Sequence, residues 1–337
     1  MISGNKDYPI DIVIPWVDGD DPQWLKQKAE YSGDVTQSVR NFDYQEWGLL
    51  KYWFRGIEKY APWVRNIFFI TWGHVPKWLN TRNQRIKIVN HKDYIPEKYL
   101  PTFSSHVIEL NIHRIEGLAE HFIYFNDDMY LVNATKPEDF FCNGIPRDVA
   151  IINPIAPSQR YYINNVQLTS IAVINEHYKK HEVIKKNITK WINPKYGRLL
   201  PLNLLFAPWG RFPGLLQQHI ASSYLKSTFT EVWNEEAELL DETCSHRFRD
   251  FRCDVNQWIM QEWQIANGTF EPRNLNFGKY FQIRDVETAN IAGQAILKGK
   301  YKNICLNDHI EDNQEAIVNI LRQAFEEKFP EKSSFEY

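Results

Sequence analysis

The chain reads as an α/β protein, a mainly parallel sheet covered by helices on both faces, and three observations predict it. Strand-like apolar runs alternate with helix-period stretches as far as Phe125, the order of a parallel sheet with crossover helices. Two carboxylate clusters each follow a strand directly, where ligands of such sheets sit. Hydrophobic residues make up 43% and charged residues 24% of 337 positions, the balance of a folded chain with a large core.

The first strand is the run from Ile10 to Val17, which ends in Asp18-Gly19-Asp20-Asp21-Pro22, a turn cluster loaded with carboxylates. From Tyr44, the apolar residues Trp47, Leu50, Trp53, Phe54, Ile57 and Tyr60 recur at a helical period that stops at Pro62. Residues 66–72, 85–89 and 121–125 read as further strands. Between the last two, Ser104-Ser105 supply an N-cap for a helix from His106 to Glu120. On that helix His106, Glu109 and His113 share an arc of about 60°, opposite Ile108, Ile112 and Ile115. Beyond residue 140 comes a basic helical segment: Ile174, Tyr178, Ile184, Ile188 and Trp191 form its apolar stripe, among Lys179, Lys180, Lys185, Lys186 and Lys190. Its two readings are a solvated helix face and a surface for anionic partners. A helical region from about His219 to Ala266, a strand-like run from Lys302 to Leu306 closed by Asp308, and an amphipathic helix from Glu311 to Phe329 complete the chain. A single catalytic domain over residues 8–337 is expected, with a helical, basic insertion at about 150–270.

Composition excludes several classes. The 39 basic and 42 acidic side chains leave a net charge of −3, which disfavours binding a nucleic-acid polyanion. Four widely spaced cysteines without a CxxC pair, and a start lacking a charged-then-apolar leader, point to reduced thiols and a cytoplasmic setting. Apolar runs fall far short of the roughly 20 residues that cross a bilayer, so any membrane contact is expected to be peripheral. Neither GxxxxGK[ST], GxGxxG nor GxSxG occurs, which removes the main support for P-loop, dinucleotide-binding and α/β-hydrolase readings.

Three constellations carry chemistry. Asp127 and Asp128, after Asn126 at a strand end, suit a hard divalent cation that keeps several waters, although such pairs also simply form turns. Alternation along a strand would let one ligate while the other orients. His106, Glu109 and His113 could supply a general base or a substrate contact, or be structural, and lack the zinc-binding HExxH spacing. His246, Arg247, Arg249 and Arg252, beside Asp250 and Asp254, form either a phosphate-binding fork or a salt-bridged surface.

In order, Ile14-PWVDGDDP, the stretch from Ala61 to Asn80, and Phe103-SSHVIELNIHRIEGLAEHFIYFNDDMYL resemble the first two signature regions of the Stealth family. His219-IASSYLKSTFTEVW with His246-RFRDFRCDVNQW is similar to the third region, and Tyr301-KNICLND to the fourth. The resemblance runs from about residue 10 to 308. It implies a Rossmann-like, nucleotide-sugar-transferase-like α/β/α sandwich with a helical insertion. It further implies transfer of a hexose- or N-acetylhexosamine-1-phosphate from a UDP-sugar to a hydroxyl of a glycan or lipid-linked oligosaccharide, in capsule or exopolysaccharide synthesis, with release of UMP. By position, Asp18, with Trp16 and Arg40, would bind the donor. Asn126, Asp127 and Asp128 would hold Mg²⁺ or Mn²⁺. Glu109, His113, Asn307 and Asp308 would contact substrate, and His219, His106, Arg247, Arg249 and Asp254 would be catalytic. Two departures stand out: the third-region histidine is usually followed at the second position by proline, here Ala221, and Ser104 stands where the family often has Asn.

Competing readings are a metal-dependent glycosyltransferase, which would release UDP, and a noncatalytic glycan-binding protein whose abundant Trp and Tyr stack on sugars. Acceptors assembled on a lipid carrier would also place the basic helix at the inner membrane face.

Overall fold

The computed structural model describes residues 8–32, 47–157, 159–310 and 312–337. Strand β1 (Ile10–Pro15) leads through the Asp-rich turn into helix α1 (Pro22–Ser32), and α2 (Leu50–Tyr60) precedes β2 (Ile67–Thr71) and β3 (Ile86–Asn90). Helix α3 (Ser105–Leu110) is followed by β4 (His121–Tyr124), β5 (Met129–Leu131), β6 (Phe141–Cys142) and β7 (Ile145–Asp148). Short helices come next: α4 (Ile163–His177), α5 (Lys180–Lys186), α6 (Ile188–Trp191) and α7 (Leu200–Leu205). The rest of the chain is β8 (Ser222–Leu225), α8 (Lys226–Glu235), α9 (Ala237–Ser245), α10 (Trp258–Asn267), β9 (Glu271–Pro272), β10 (Gly278–Ile283), α11 (Val286–Lys298), β11 (Asn303–Asp308) and α12 (Gln314–Lys328).

The central sheet has the order β3-β2-β1-β4-β8. Its first four strands are parallel, and β8 pairs antiparallel with β4 through Ile123 opposite Ser223. Alternation along β1 sends Ile12 and Ile14 to one apolar core, with Trp53, Phe54, Ile296 and Phe325, and Val13 to the other, with Phe122, Tyr224 and Ile259. The sheet is therefore buried on both faces, as the α/β reading requires. Asp11, fully buried within β1, is satisfied by Arg65, by the Ala119 N–H at 2.8 Å and by the Asn66 N–H at 3.1 Å. A second sheet, β10-β11-β5, abuts the first because β4 runs through one tight turn into β5.

Residues near the end of the chain close the first core. Arg55 on α2 donates through Nε and Nη2 to Glu336 at 2.7 Å, and through Nη1 to the Phe329 carbonyl at 2.8 Å. Phe335 is fully buried with its ring 5.4 Å from that of Phe54.

Three expectations need correction. The helix expected over 106–120 stops at Leu110 and continues as a 3-10 turn, Ile112–Arg114. There the Asn111 amide donates to the Val107 carbonyl and to Cys244 Sγ, and Gly117 takes a positive φ of 75°. The region expected to be helical from His219 opens instead with β8, whose Tyr224 is buried against Phe122. The basic segment is broken into α4, α5 and α6, and two of its lysines are tied to backbone carbonyls. Lys180 is buried and donates to the carbonyls of Phe206, Ala207 and Trp209, while Lys190 donates to those of Gly268 and Phe270.

Candidate active site

A cavity of about 800 Å³ opens beyond the carboxyl ends of β1 and β4 and reaches the end of β11. Trp16 and Val17 approach from β1, Asn126, Asp127 and Asp128 from the β4–β5 turn, Asn307 and Asp308 from β11, and Glu109 from α3. His219 and Arg249 reach the same space from the loops before β8 and after α9. Six separate chain segments thus meet on one cavity lined by acids, a histidine, an arginine and indole rings.

Asp128 sits at its centre. Because β5 pairs antiparallel with β11, with Met129 opposite Cys305, the Asp128 carboxylate falls beside that strand. Its Oδ2 accepts from the Cys305 thiol at 3.1 Å and from Asn307 Nδ2 at 3.4 Å, and lies 3.6 Å from His219 Nε2. Its Oδ1 is buried and has no hydrogen-bond partner among the described residues. Burial pushes the Asp128 carboxyl up, but His219, Cys305 and Asn307 hold it below the ordinary carboxylate value. For His219, burial works against the charged ring, yet Asp128, with Glu109 behind it, keeps the imidazole above its ordinary value. Burial pushes the Cys305 thiol well up, helped by Asp128, so it is a neutral donor to that carboxylate.

His219 is held by an unusual backbone. Its φ is 43°, the left-handed region, and its ring meets Tyr280 edge-on at 5.7 Å. The Ala221 N–H donates to Asn303 Oδ1 at 3.0 Å, a bond that proline at this position would lack. Alanine therefore ties the histidine loop to β11. Glu109, nearly buried, accepts from Tyr124 Oη at 3.2 Å and from the Gln257 N–H at 3.4 Å.

Other expected site residues lie outside the cavity wall. Asp18 caps its own turn by accepting from the Asp20 N–H at 3.0 Å, while its own N–H donates to His74 at 2.7 Å. His106 and Asp254 form a buried pair, Nδ1 to Oδ2 at 2.9 Å, and the second Asp254 oxygen accepts from His246 at 2.7 Å. Arg247 donates to the Pro101 carbonyl at 2.8 Å and covers the Tyr31 ring at 4.7 Å, so it fastens the loop that carries Arg249. His113 packs against Phe229 and Trp233, where burial, with Arg114 and Lys226, pushes its pKa down to about 3. Ser104 is buried, and its hydroxyl has no hydrogen-bond partner among the described residues. Arg40 lies outside the described residues.

Several lining residues escaped the sequence reading, among them Trp47, Tyr162 and, behind the wall, Cys305 and Tyr280. A signal existed for Cys305: two positions before Asn307 on a strand, it must share that residue's face. Tyr280 gave none, because β10 carries no clear alternation.

The α/β architecture puts an acid-lined cavity where ligands of such sheets bind, and the sequence places the chain further. Residues 8–36 match Stealth protein conserved region 1, residues 43–148 conserved region 2 and residues 294–337 conserved region 4. The chain belongs to the Stealth family. It is 40% identical over 331 residues to a capsular polysaccharide phosphotransferase, WcwK, of Streptococcus pneumoniae, covering 97% of this chain and 98% of that one. It is 38% identical over 334 residues to the exopolysaccharide phosphotransferase cps2G of Lactiplantibacillus plantarum, covering 98% and 96%. To the receptor polysaccharide phosphotransferase WefC of Streptococcus oralis it is 37% identical over 336 residues, covering 97% and 99%. Among solved structures it is similar to the bifunctional glycosyltransferase WbbM, with a TM-score of 0.42, 9% identity, and 96% of this chain and 50% of that one covered. It is also similar to the galactosyltransferase LgtC, with a TM-score of 0.39, 9% identity, and 93% and 95% covered. Among the described residues, no helix is long and apolar enough to cross a membrane.

Proposed function

We propose that the protein transfers a hexose- or N-acetylhexosamine-1-phosphate from a UDP-sugar to a hydroxyl of a glycan or lipid-linked oligosaccharide, in capsular or exopolysaccharide synthesis. The observation that carries this reading is the convergence of Asp127, Asp128, Asp308, His219 and Arg249 on one cavity. Names of relatives over nearly the whole chain support phosphotransfer as the reaction class.

The acids fit a Mg²⁺ or Mn²⁺ ion, because Asp128 Oδ1 is a buried carboxylate oxygen in the cavity wall that finds no partner among the described residues. Asp127 and Asp128 would hold it, with Asp308 and Asn126 at the rim. Such an ion supplies charge neutralisation for a diphosphate. Arg249, exposed at the mouth, would engage nonbridging phosphate oxygens through its planar fork. Trp16 and Trp47 offer flat apolar faces to a base or sugar ring.

His219 is the general base in this reading. The Asp128 carboxylate, 3.6 Å from its Nε2, and the Tyr280 ring fix the imidazole at the cavity wall. The imidazole takes the acceptor hydroxyl proton as the oxygen attacks the phosphorus that bears the sugar. The bond from that phosphorus to the bridging oxygen breaks, UMP leaves with the electron pair, and the proton on His219 is released to it or to solvent. The product is a phosphodiester.

The test is incubation of the purified protein with Mg²⁺ or Mn²⁺, a panel of UDP-sugars and a glycan acceptor, with nucleotide products separated by chromatography. Acceptor-dependent UMP and a phosphodiester-linked product are expected. UDP with a glycosidic product would overturn the reading in favour of a glycosyltransferase, and absence of any nucleotide-sugar turnover or binding would favour a glycan-binding protein.

A further inference from the structure

Between Tyr178 and Pro213 the chain carries six lysines, two arginines and a single glutamate, in a protein of net charge −3. Lys180 is spent on backbone carbonyls and Lys190 on carbonyls and Glu271, but Lys185, Lys186, Arg198 and Arg211 are exposed. The same stretch exposes large apolar side chains: Leu204 at 58%, Leu205 at 67% and Trp209 at 59%, with Ile188 and Ile192 in the preceding helix and its end.

Helix α7, Leu-Pro-Leu-Asn-Leu-Leu, is inverted relative to an ordinary surface helix. Its single fully buried residue is the polar Asn203, whose amide donates to the Ala150 and Trp191 carbonyls and accepts from the Ile152 N–H. Asn203 thereby pins the helix to the end of α6 with Leu204 and Leu205 left in solvent. The loop that follows is pinned as well, because buried Lys180 gathers the carbonyls of Phe206, Ala207 and Trp209 around one ammonium. Trp209 is thus presented on a braced loop rather than folded inward.

We propose that α7 and the loop to Arg211 form a docking element that places Leu204, Leu205 and Trp209 in the interfacial layer of an anionic phospholipid bilayer, with Lys185, Lys186, Arg198 and Arg211 on its headgroups. The combination selects this partner. Tryptophan and leucine suit the boundary between headgroups and acyl chains, and an anionic surface attracts a cationic rim. A second copy of the chain, docked through the same patch about a two-fold axis, would bring like charges together. A soluble polyanion would leave the leucines in water. The inference is independent of the reaction proposed above.

Flotation of the intact protein with phosphatidylcholine vesicles, with and without phosphatidylglycerol, tests it. Binding is expected with the anionic vesicles, falling on addition of salt. Leu204→Ser/Leu205→Ser/Trp209→Ser should weaken it on the order of ten-fold or more, and Lys185→Glu/Arg198→Glu should remove the preference for phosphatidylglycerol. Hydrogen exchange on the unsubstituted protein gives a second readout: anionic vesicles should slow residues 200–211 while leaving α11 and α12 unchanged. Lack of binding to anionic vesicles, equal binding to neutral ones, or undiminished binding by the triple variant would each overturn the proposal. So would a dimer of the unsubstituted protein that the triple variant disperses, which would assign the patch to a second copy.

Discussion

Two histidine–carboxylate centres, one in the cavity wall and one outside it, are built in opposite ways. Asp254 is fully buried and accepts from His106 at 2.9 Å, from His246 at 2.7 Å and from the Asp250 N–H at 2.8 Å. Asp128 stands 3.6 Å from His219, with side chains 22% and 28% exposed, and one of its oxygens has no hydrogen-bond partner among the described residues. The first centre is saturated and braces the turn that carries Arg247 and Arg249. The second is under-coordinated and lines the cavity. A carboxylate whose acceptor sites are filled by the protein stabilises the fold, whereas one with capacity to spare is available to a ligand.

Substitutions should separate the two. Asp128→Asn is expected to lower turnover on the order of 10³-fold while circular dichroism stays native; substantial activity in that variant would remove Asp128 from the chemistry. His219→Gln should reduce kcat by about 10²-fold or more with little change in thermal stability. At the saturated centre, Asp254→Asn should cost about 3–5 kcal/mol of stability, since it leaves two histidines and a backbone donor poorly matched. Its kcat, measured on the folded fraction, should fall less than that of either cavity variant. Were the order reversed, with Asp254→Asn stable but inactive, the contrast between the centres would collapse.

A third acid sharpens the comparison at smaller amplitude. Glu262 on α10 is buried and accepts from Gln217 at 3.0 Å, and its other oxygen has no partner among the described residues. Burial pushes its carboxyl up to about 8, against the opposing effect of Gln217. A raised folded-state pKa means the folded protein holds a proton that the unfolded chain gives up. The stabilisation is complete below the ordinary glutamate value and is lost progressively as pH rises toward about 8. Thermal melts should show a midpoint declining over that interval, and Glu262→Gln should flatten the decline. A wild-type midpoint independent of pH would mean that Glu262 is already charged and solvated.

Much of the fold was legible because the first four strands of the central sheet are dense apolar runs, and because α2 repeats Leu50, Trp53, Phe54 and Ile57 at one period. What stayed hidden depended on partners distant in sequence. Asn111 ends α3 by reaching Cys244, and Ser222–Leu225 becomes a strand because β4 lies open beside it. The acids after β4 and β11 could be read as chemistry, and their resemblance to family signatures gathered them with His219. Nothing local distinguished Arg249, which lines the cavity, from Arg247, which is spent on Pro101. That difference is set by a turn whose shape comes from Asp254.

The contact between Arg55 and Glu336 spans 281 positions, and it matters for the order in which the protein is made. Helix α2 is made long before residues 329–336, yet its Phe54 packs on Phe335 and its Tyr60 on Phe329. Until then a nascent chain carries an aromatic face and unpaired strand edges without their cover, the condition in which chains associate wrongly. Ribosome-bound chains that stop short of residue 329 should be cleaved readily by protease within α2, and released full-length chains should resist; equal resistance in both would show that the N-terminal half closes on its own.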